Sequence, residues 1–159
     1  MPSRLQAELS QAKPFASPEH EAMLSIARTA AVLEHSVAEA LKPYGITPTQ
    51  YNVLRILRGA GKDGLCRNAV RDRLVARVPD ATRLLDRLAD SGLVARDRDT
   101  PDRRFVTTRI TRAGLALLGR LDEPMTGLHA RQLGHLGPGK LGTLIDLLAE
   151  VREGVPPVK

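Results

Sequence analysis

The amino-acid sequence predicts a mainly α-helical fold with one small β-hairpin. Three observations lead there. Apolar residues recur at spacings of three and four along most of the chain, the pattern of helices with one buried face. The 159 residues include two Phe, two Tyr and no Trp, so the core must be Leu, Val, Ile and Ala, which suits helix packing. Strand-like alternation is confined to residues 93–110, where a turn-forming link divides it. At this length the chain is one domain, or one domain with an appended helical layer.

Residues 1–16 are mixed and weakly periodic, an N-terminal arm. Ser17-Pro18-Glu19 starts a helix, with Ser as N-cap, Pro in the first position and an acid in the first turn. Met23, Ile26, Ala30, Leu33, Val37 and Leu41 form one stripe along it, and Lys42-Pro43-Tyr44-Gly45 ends it. So narrow a stripe serves either a core or an interface between chains, and periodicity does not separate the two. Thr47 and Gln50 have the spacing of a capping box for a second helix, whose apolar face is Tyr51, Val53, Leu54 and Leu57. Gly59 to Gly64 reads as a turn.

Cys66 to Leu74 reads as a short helix, with Val70 and Leu74 inward and Arg67, Arg71 and Arg73 outward. A tight connection, Val75 to Val78, leads to a helix expected over Pro79–Gly92. Its inward residues are Ala81, Leu84, Leu85 and Leu88. Its outward face carries Asp80, Thr82, Arg83, Asp86, Arg87 and Asp90. Pro79 suits the first turn, Asp80 the positive end of the helix dipole, and Gly92 the stop. Two short helices joined in this way make a helix-turn-helix.

Leu93–Arg98 and Phe105–Ile110 read as strands. The link Asp99-Thr-Pro-Asp-Arg-Arg104 has turn chemistry and two arginines at its tip. A hairpin directly after a helix-turn-helix is a winged helix. Arg98, Arg103 and Arg104 then sit where a wing meets the minor groove or phosphates, with Asp102 placed to hold an arginine in a fixed pose. Thr111-Arg-Ala-Gly114 caps another long helix, buried along Leu115, Leu118, Leu121, Met125 and Leu128. Gly137-Pro138-Gly139 breaks it. A last helix turns Leu141, Leu144, Ile145, Leu148 and Val151 inward, and residues 154–159 are a tail.

The formal charge is +6, and nearly all of it is central. Residues 67–112 hold twelve Arg, no Lys and seven Asp, a net +5. Arginine suits bidentate contacts with phosphate and guanine. A basic module between near-neutral flanks is the electrostatic footprint expected for nucleic acid. A single cysteine leaves no disulfide framework. With no apolar leader and no apolar run near about 18 residues, a cytoplasmic protein without a membrane segment is expected.

Gly45-Ile-Thr-Pro-Thr-Gln-Tyr-Asn-Val-Leu54, Thr82-Arg-Leu-Leu-Asp-Arg-Leu-Ala-Asp-Ser-Gly-Leu-Val-Ala-Arg96, Asp102-Arg-Arg104 and Ile110-Thr-Arg-Ala-Gly114 stand in an order and spacing that resemble the MarR family. These are the multiple-antibiotic-resistance type regulators. The resemblance spans roughly residues 18–153. It implies a winged helix-turn-helix lobe, about 46–112, and a dimerisation layer from helices about 18–42 and 111–153. It implies a homodimer on a pseudo-palindromic double-stranded DNA operator, most simply as a repressor released by a small-molecule effector. Carried over by position, the DNA-facing residues are Arg77, Pro79, Asp80, Thr82, Arg83 and Arg87. Asp102 and Arg104 match the family's Asp-x-Arg of the wing, with the Arg in the minor groove and Arg103 beside it on phosphate. Arg98 completes the wing set. Effector contacts implied by family position are His35, Tyr51 and Arg55. Two departures leave base preference open: Arg77 stands where a small polar residue is common, and Arg71 where Ala is.

Other function classes have weaker support. His20, His35, His129 and His135 show no ligand spacing, so no metal or other cofactor is expected. No phosphate-cradling Gly loop, nucleophile elbow or paired Cys or His motif supports an enzyme. Cys66 opens a helix at a position usually apolar and is expected to be buried and structural. The helix start and Arg67 beside it keep a redox-sensing regulator as an alternative. A non-specific DNA-compacting or protein-docking winged helix is the other.

Overall fold

The computed structural model describes residues 3–98 and 106–156, with only the backbone of Arg98. The expectations for Asp102, Arg103 and Arg104 therefore lie outside the described residues. The chain divides into two compact units, Met1–Pro48 and Thr49–Lys159.

The first unit is two helices. In α1, Arg4–Glu8, the Ser3 hydroxyl accepts from the Gln6 N–H at 3.2 Å. In α2, Pro18–Leu41, the Ser17 hydroxyl accepts from the His20 N–H at 3.3 Å, with Pro18 in the first turn. That is the start the sequence predicts. Its hydrogen bond with Ser17 holds the Glu19 carboxyl below the usual carboxylate range. A 3-10 turn, Lys42–Tyr44, and Gly45 at φ 71° end α2. The α2 stripe is not a core stripe within the chain. Leu41 is buried, but Met23 is 55% exposed and Ile26 41%.

The second unit begins with α3, Pro48–Ala60, and a 3-10 turn, Gly61–Asp63. Next come β1, Leu65–Cys66, α4, Arg67–Arg73, and α5, Ala81–Asp90. Strands β2, Val94–Arg98, and β3, Val106–Ile110, precede α6, Arg112–Leu133. A 3-10 turn, Gly134–Leu136, leads into α7, Gly137–Gly154. The fold class is the one predicted, with one strand added. The sheet is antiparallel in the order β1-β3-β2, registered by Leu65 opposite Thr108 and Val94 opposite Ile110. A two-residue strand is too short to leave an alternation in the sequence.

Three further expectations are corrected, for Cys66, α6 and α7. Cys66 is exposed, not buried. It lies in β1 opposite Thr107, while its neighbour Leu65 lies opposite the fully buried Thr108. Successive strand residues face opposite sides, so Leu65 takes the inward place. In α6 the buried side is Gly114, Leu117, Leu118, Leu121 and Met125, with Leu115 exposed and Leu128 half-buried. Along α7 no residue is buried, and Gly137-Pro138-Gly139 begins this helix. The described residues leave its apolar positions uncovered, with Ile145 63% exposed.

The face of α6 is set at its first turn. The Thr111 hydroxyl caps the helix by accepting from the Gly114 N–H at 3.1 Å and donates to the Gly92 carbonyl at 2.7 Å. The Thr111 N–H donates to the Leu93 carbonyl at 3.1 Å. The start of α6 is thereby sewn to the end of α5, close enough that only glycine fits at 114. A Cβ there would meet the Leu93 carbonyl oxygen at 2.4 Å and Ile110 Cγ1 at 2.7 Å. Among the described residues no helix is long and apolar enough to cross a membrane.

Gly114→Ala should destabilise the protein by about 1–3 kcal/mol, as overpacking against backbone does. Gly119→Ala, with open space around its Cβ, should not destabilise it. Urea midpoints of the two variants check this.

Candidate nucleic-acid interface

The helix expected to face DNA is shorter at its start than the sequence suggests. It runs Ala81–Asp90, and Asp80 precedes it as N-cap, its Oδ1 accepting from the Arg83 N–H at 2.9 Å. The carboxylate supplies the first missing acceptor, so Pro79 is pushed out of the first turn. The far end closes as expected. Gly92 has φ 74°, its N–H donates to the Ala89 carbonyl at 2.9 Å, and Leu93 donates to the Leu88 carbonyl at 3.0 Å. This is the paired closure that a left-handed glycine permits.

Ala81, Leu85 and Leu88 are buried beneath α5. Three side-chain bonds hold the helix and the turn before it. Asn52 Oδ1 on α3 accepts from the Val75 N–H at 3.0 Å and fixes the turn. Arg67 Nη1, at the first position of α4, donates to Thr82 Oγ1 at 3.2 Å. Asp86 pairs with Arg96 on β2. Asp86 therefore ties the helix to the sheet rather than standing as one more free outward charge. Neither Asn52 nor the Asp86–Arg96 pair was picked out by sequence reasoning, and their separations carry no helical or strand period. Arg67 was placed outward but not tied to Thr82.

What remains outward among the described residues includes three unpaired arginines beside Asp80 and Asp90. Arg77 lies in the turn before α5, and Arg83 and Arg87 lie on it. All three are exposed, with no side-chain hydrogen bond or ion pair among the described residues. Other arginines of the basic module are engaged: Arg71 with Asp72, Arg96 with Asp86, and Arg109 with Asp97 and the Lys62 carbonyl. Thr82 is half-buried, and Pro79 and Asp80 are exposed. The backbone of Arg98 ends β2 opposite Val106. Of the effector residues, Tyr51 and Arg55 come together on α3. Arg55 Nη1 donates to the Tyr51 hydroxyl at 3.4 Å and its guanidinium lies 5.8 Å from the ring centre. His35 is exposed on α2 in the other compact unit. Among the described residues no group of three His, Cys, Asp or Glu is placed to hold a metal ion.

The comparisons with known proteins point one way. The family model described as "MarR family" matches residues 44–104. The HTH-type transcriptional regulator YkoM of Bacillus subtilis (strain 168) is 31% identical over 118 residues, 74% of each chain. This chain belongs to the MarR family. The crystal structure of a MarR transcription factor from Planctomyces limnophilus is 41% identical and superposes with a TM-score of 0.67. The match covers 85% of this chain and 98% of that one. The structure of NadR with 4-hydroxyphenylacetate is 25% identical, with a TM-score of 0.67 over 82% of this chain and 93% of that one. The MarR-family chain is thus a DNA-binding transcriptional regulator with the winged-helix fold of its relatives.

One ion pair joins α3 to α6. Arg58 Nη1 and Nη2 donate to the two Asp122 oxygens at 2.8 and 2.9 Å. These bonds hold the Asp122 carboxyl below the usual aspartate range and raise Arg58 in turn. A carboxyl lowered by folding contributes stability that is whole above its unfolded value of about 3.9 and lost as pH falls through the lower folded value. The wild type should therefore be more stable than Asp122→Asn at pH 7, and the gap should close towards pH 2. Urea unfolding across that range measures the gap. A gap constant with pH would show that the charge contributes nothing.

Proposed function

We propose that this MarR-family chain is a repressor that binds a pseudo-palindromic operator as a homodimer and leaves it when a small molecule binds. The observation that carries the reading is the state of α5. The helix is fixed by its cap, by Arg67 and by Arg96, while Arg77, Arg83 and Arg87 around it have no partner among the described residues. Unpaired guanidiniums on a helix held in place suit guanine edges and phosphates. In this reading Thr82, Arg83 and Arg87 enter the major groove, and Arg77, Pro79 and Asp80 border it. Arg98, Asp102, Arg103 and Arg104 form the wing contact, with Arg104 in the minor groove.

Two features support a dimer, each in its own unit. Met23 and Ile26 on α2, and Ile145 and Val151 on α7, are exposed among the described residues, and each pair would lose apolar surface to a second copy. An effector of aromatic-acid type is supported by the Arg55 cation beside Tyr51, with the NadR complex as the related case. The cytoplasmic location expected from the sequence accords with work on DNA.

Fluorescence anisotropy on DNA from upstream of the protein's own gene, in a salt series with random duplex as competitor, tests the reading. Binding should survive the competitor, with two chains per site. Arg83→Ala should cost about 1–3 kcal/mol on the specific site and relax base preference. Arg104→Ala should weaken binding, and reduce the salt slope by about one if its contact is mainly electrostatic. An Arg83→Ala protein that keeps full strength and selectivity would contradict the assignment of α5. Binding abolished by random DNA would favour a compacting or docking protein instead.

A further inference from the structure

We propose that Arg67 is a specificity-determining positioning residue: it fixes the Thr82 hydroxyl as a hydrogen-bond donor towards the base edge. The proposal rests on the reading of α5 as the helix in the major groove. A threonine hydroxyl has one proton to donate and two lone pairs to accept with. A free one reads either polarity, which is why threonine on its own discriminates poorly among bases.

Thr82 is not free in this way. Arg67 Nη1 donates to its Oγ1 at 3.2 Å, and a guanidinium only donates, so one lone pair is taken. The adjacent positive charge further disfavours a second incoming donor and polarises the O–H outward. The proton itself has no acceptor among the described residues. Helical threonines usually hand it back to the carbonyl four residues earlier, as Thr126 does to Asp122 at 2.8 Å and Thr143 to Gly139 at 3.2 Å. Thr82 cannot do the same within its helix. It is the second residue of α5, and the residue four before it, Val78, lies outside the helix.

The available proton therefore selects acceptors in the major groove: O6 or N7 of guanine, N7 of adenine, or O4 of thymine. The cytosine amino group, a donor, is rejected. Arg67 reaches Thr82 from α4, so the selectivity is set by a residue that need not touch the base. Among the described residues the remaining N–H groups of Arg67 are engaged only by Asn68 Oδ1, at 3.4 Å.

The test uses the full chain and sites selected from a random duplex pool. Affinities for the selected site and each of its single base-pair variants are measured at two salt concentrations. The proteins compared are wild type, Thr82→Val, Arg67→Met, the double variant and Arg73→Met. Arg73 is exposed on the same helix and serves as the control for losing one charge. Thermal midpoints show that each is folded. Wild type should prefer guanine or thymine to cytosine by about tenfold at one position of each half-site, the size of a good single contact. Thr82→Val and Arg67→Met should each erase that preference, and combining them should erase no more. Arg73→Met should weaken all sequences alike and keep the preference. If Arg67→Met behaves like Arg73→Met, the inference fails while the regulator reading stands. A wild type that selects no sequence from the pool overturns both.

Discussion

The pose of α5 depends on an ion pair whose cation is half-buried. Arg96 has only 21% of its side chain exposed, and its Nε is buried without a hydrogen-bond partner. Asp86, on α5, is the acceptor that keeps this guanidinium charge compensated. Such a pair adds little net stability over an apolar contact, but losing one partner leaves a charge half out of water. The pair therefore ties α5 to the sheet. The outward residues of α5 inherit that placement.

This division of labour also explains the charge. The module from 67 to 112 is rich in arginine, but much of that arginine is structural. Arg96 and Arg109 secure the sheet, Arg67 reaches Thr82, and only a subset of guanidiniums projects unpaired. The aspartates between them are not simply counterweights to the basic charge. Asp80 caps α5, Asp86 anchors it, and Asp97 pairs across the strands with Arg109. The number of arginines alone thus overstates the positive field available to phosphates, and the position of the unpaired residues matters more.

Much of this was legible in the residues. Helix starts with Ser or Thr caps, at Ser17 and Thr111, read correctly because a cap is local chemistry between residues three apart. The hairpin read correctly because alternation is local too. What did not read was non-local. β1 exists because β3 offers it an edge, and two residues cannot announce that. Cys66 is exposed because that pairing sets its side. Leu115 and Leu117 exchanged places because Gly114 packs against Leu93, which fixes the rotation of α6. The apolar periodicity of α2 and α7 was real, but periodicity does not say whether the covering surface lies in the same chain. At the interface, the arginines that face outward were visible in the pattern. The bonds that hold the helix carrying them and the turn before it, from Asn52, Arg67 and Arg96, join positions apart in sequence without a helical or strand period.

In the proposed complex α5 lies in the major groove of DNA with its N-terminal half against base edges. Dimethyl sulfate protection on a site selected from random duplex addresses it most directly, because the reagent methylates guanine N7 in the major groove and adenine N3 in the minor. The account predicts two clusters of protected guanines about one helical turn, roughly 10 base pairs, apart, with the clusters lost in Arg83→Ala. Protection confined to adenine N3, or guanine protection unchanged in Arg83→Ala, would contradict it.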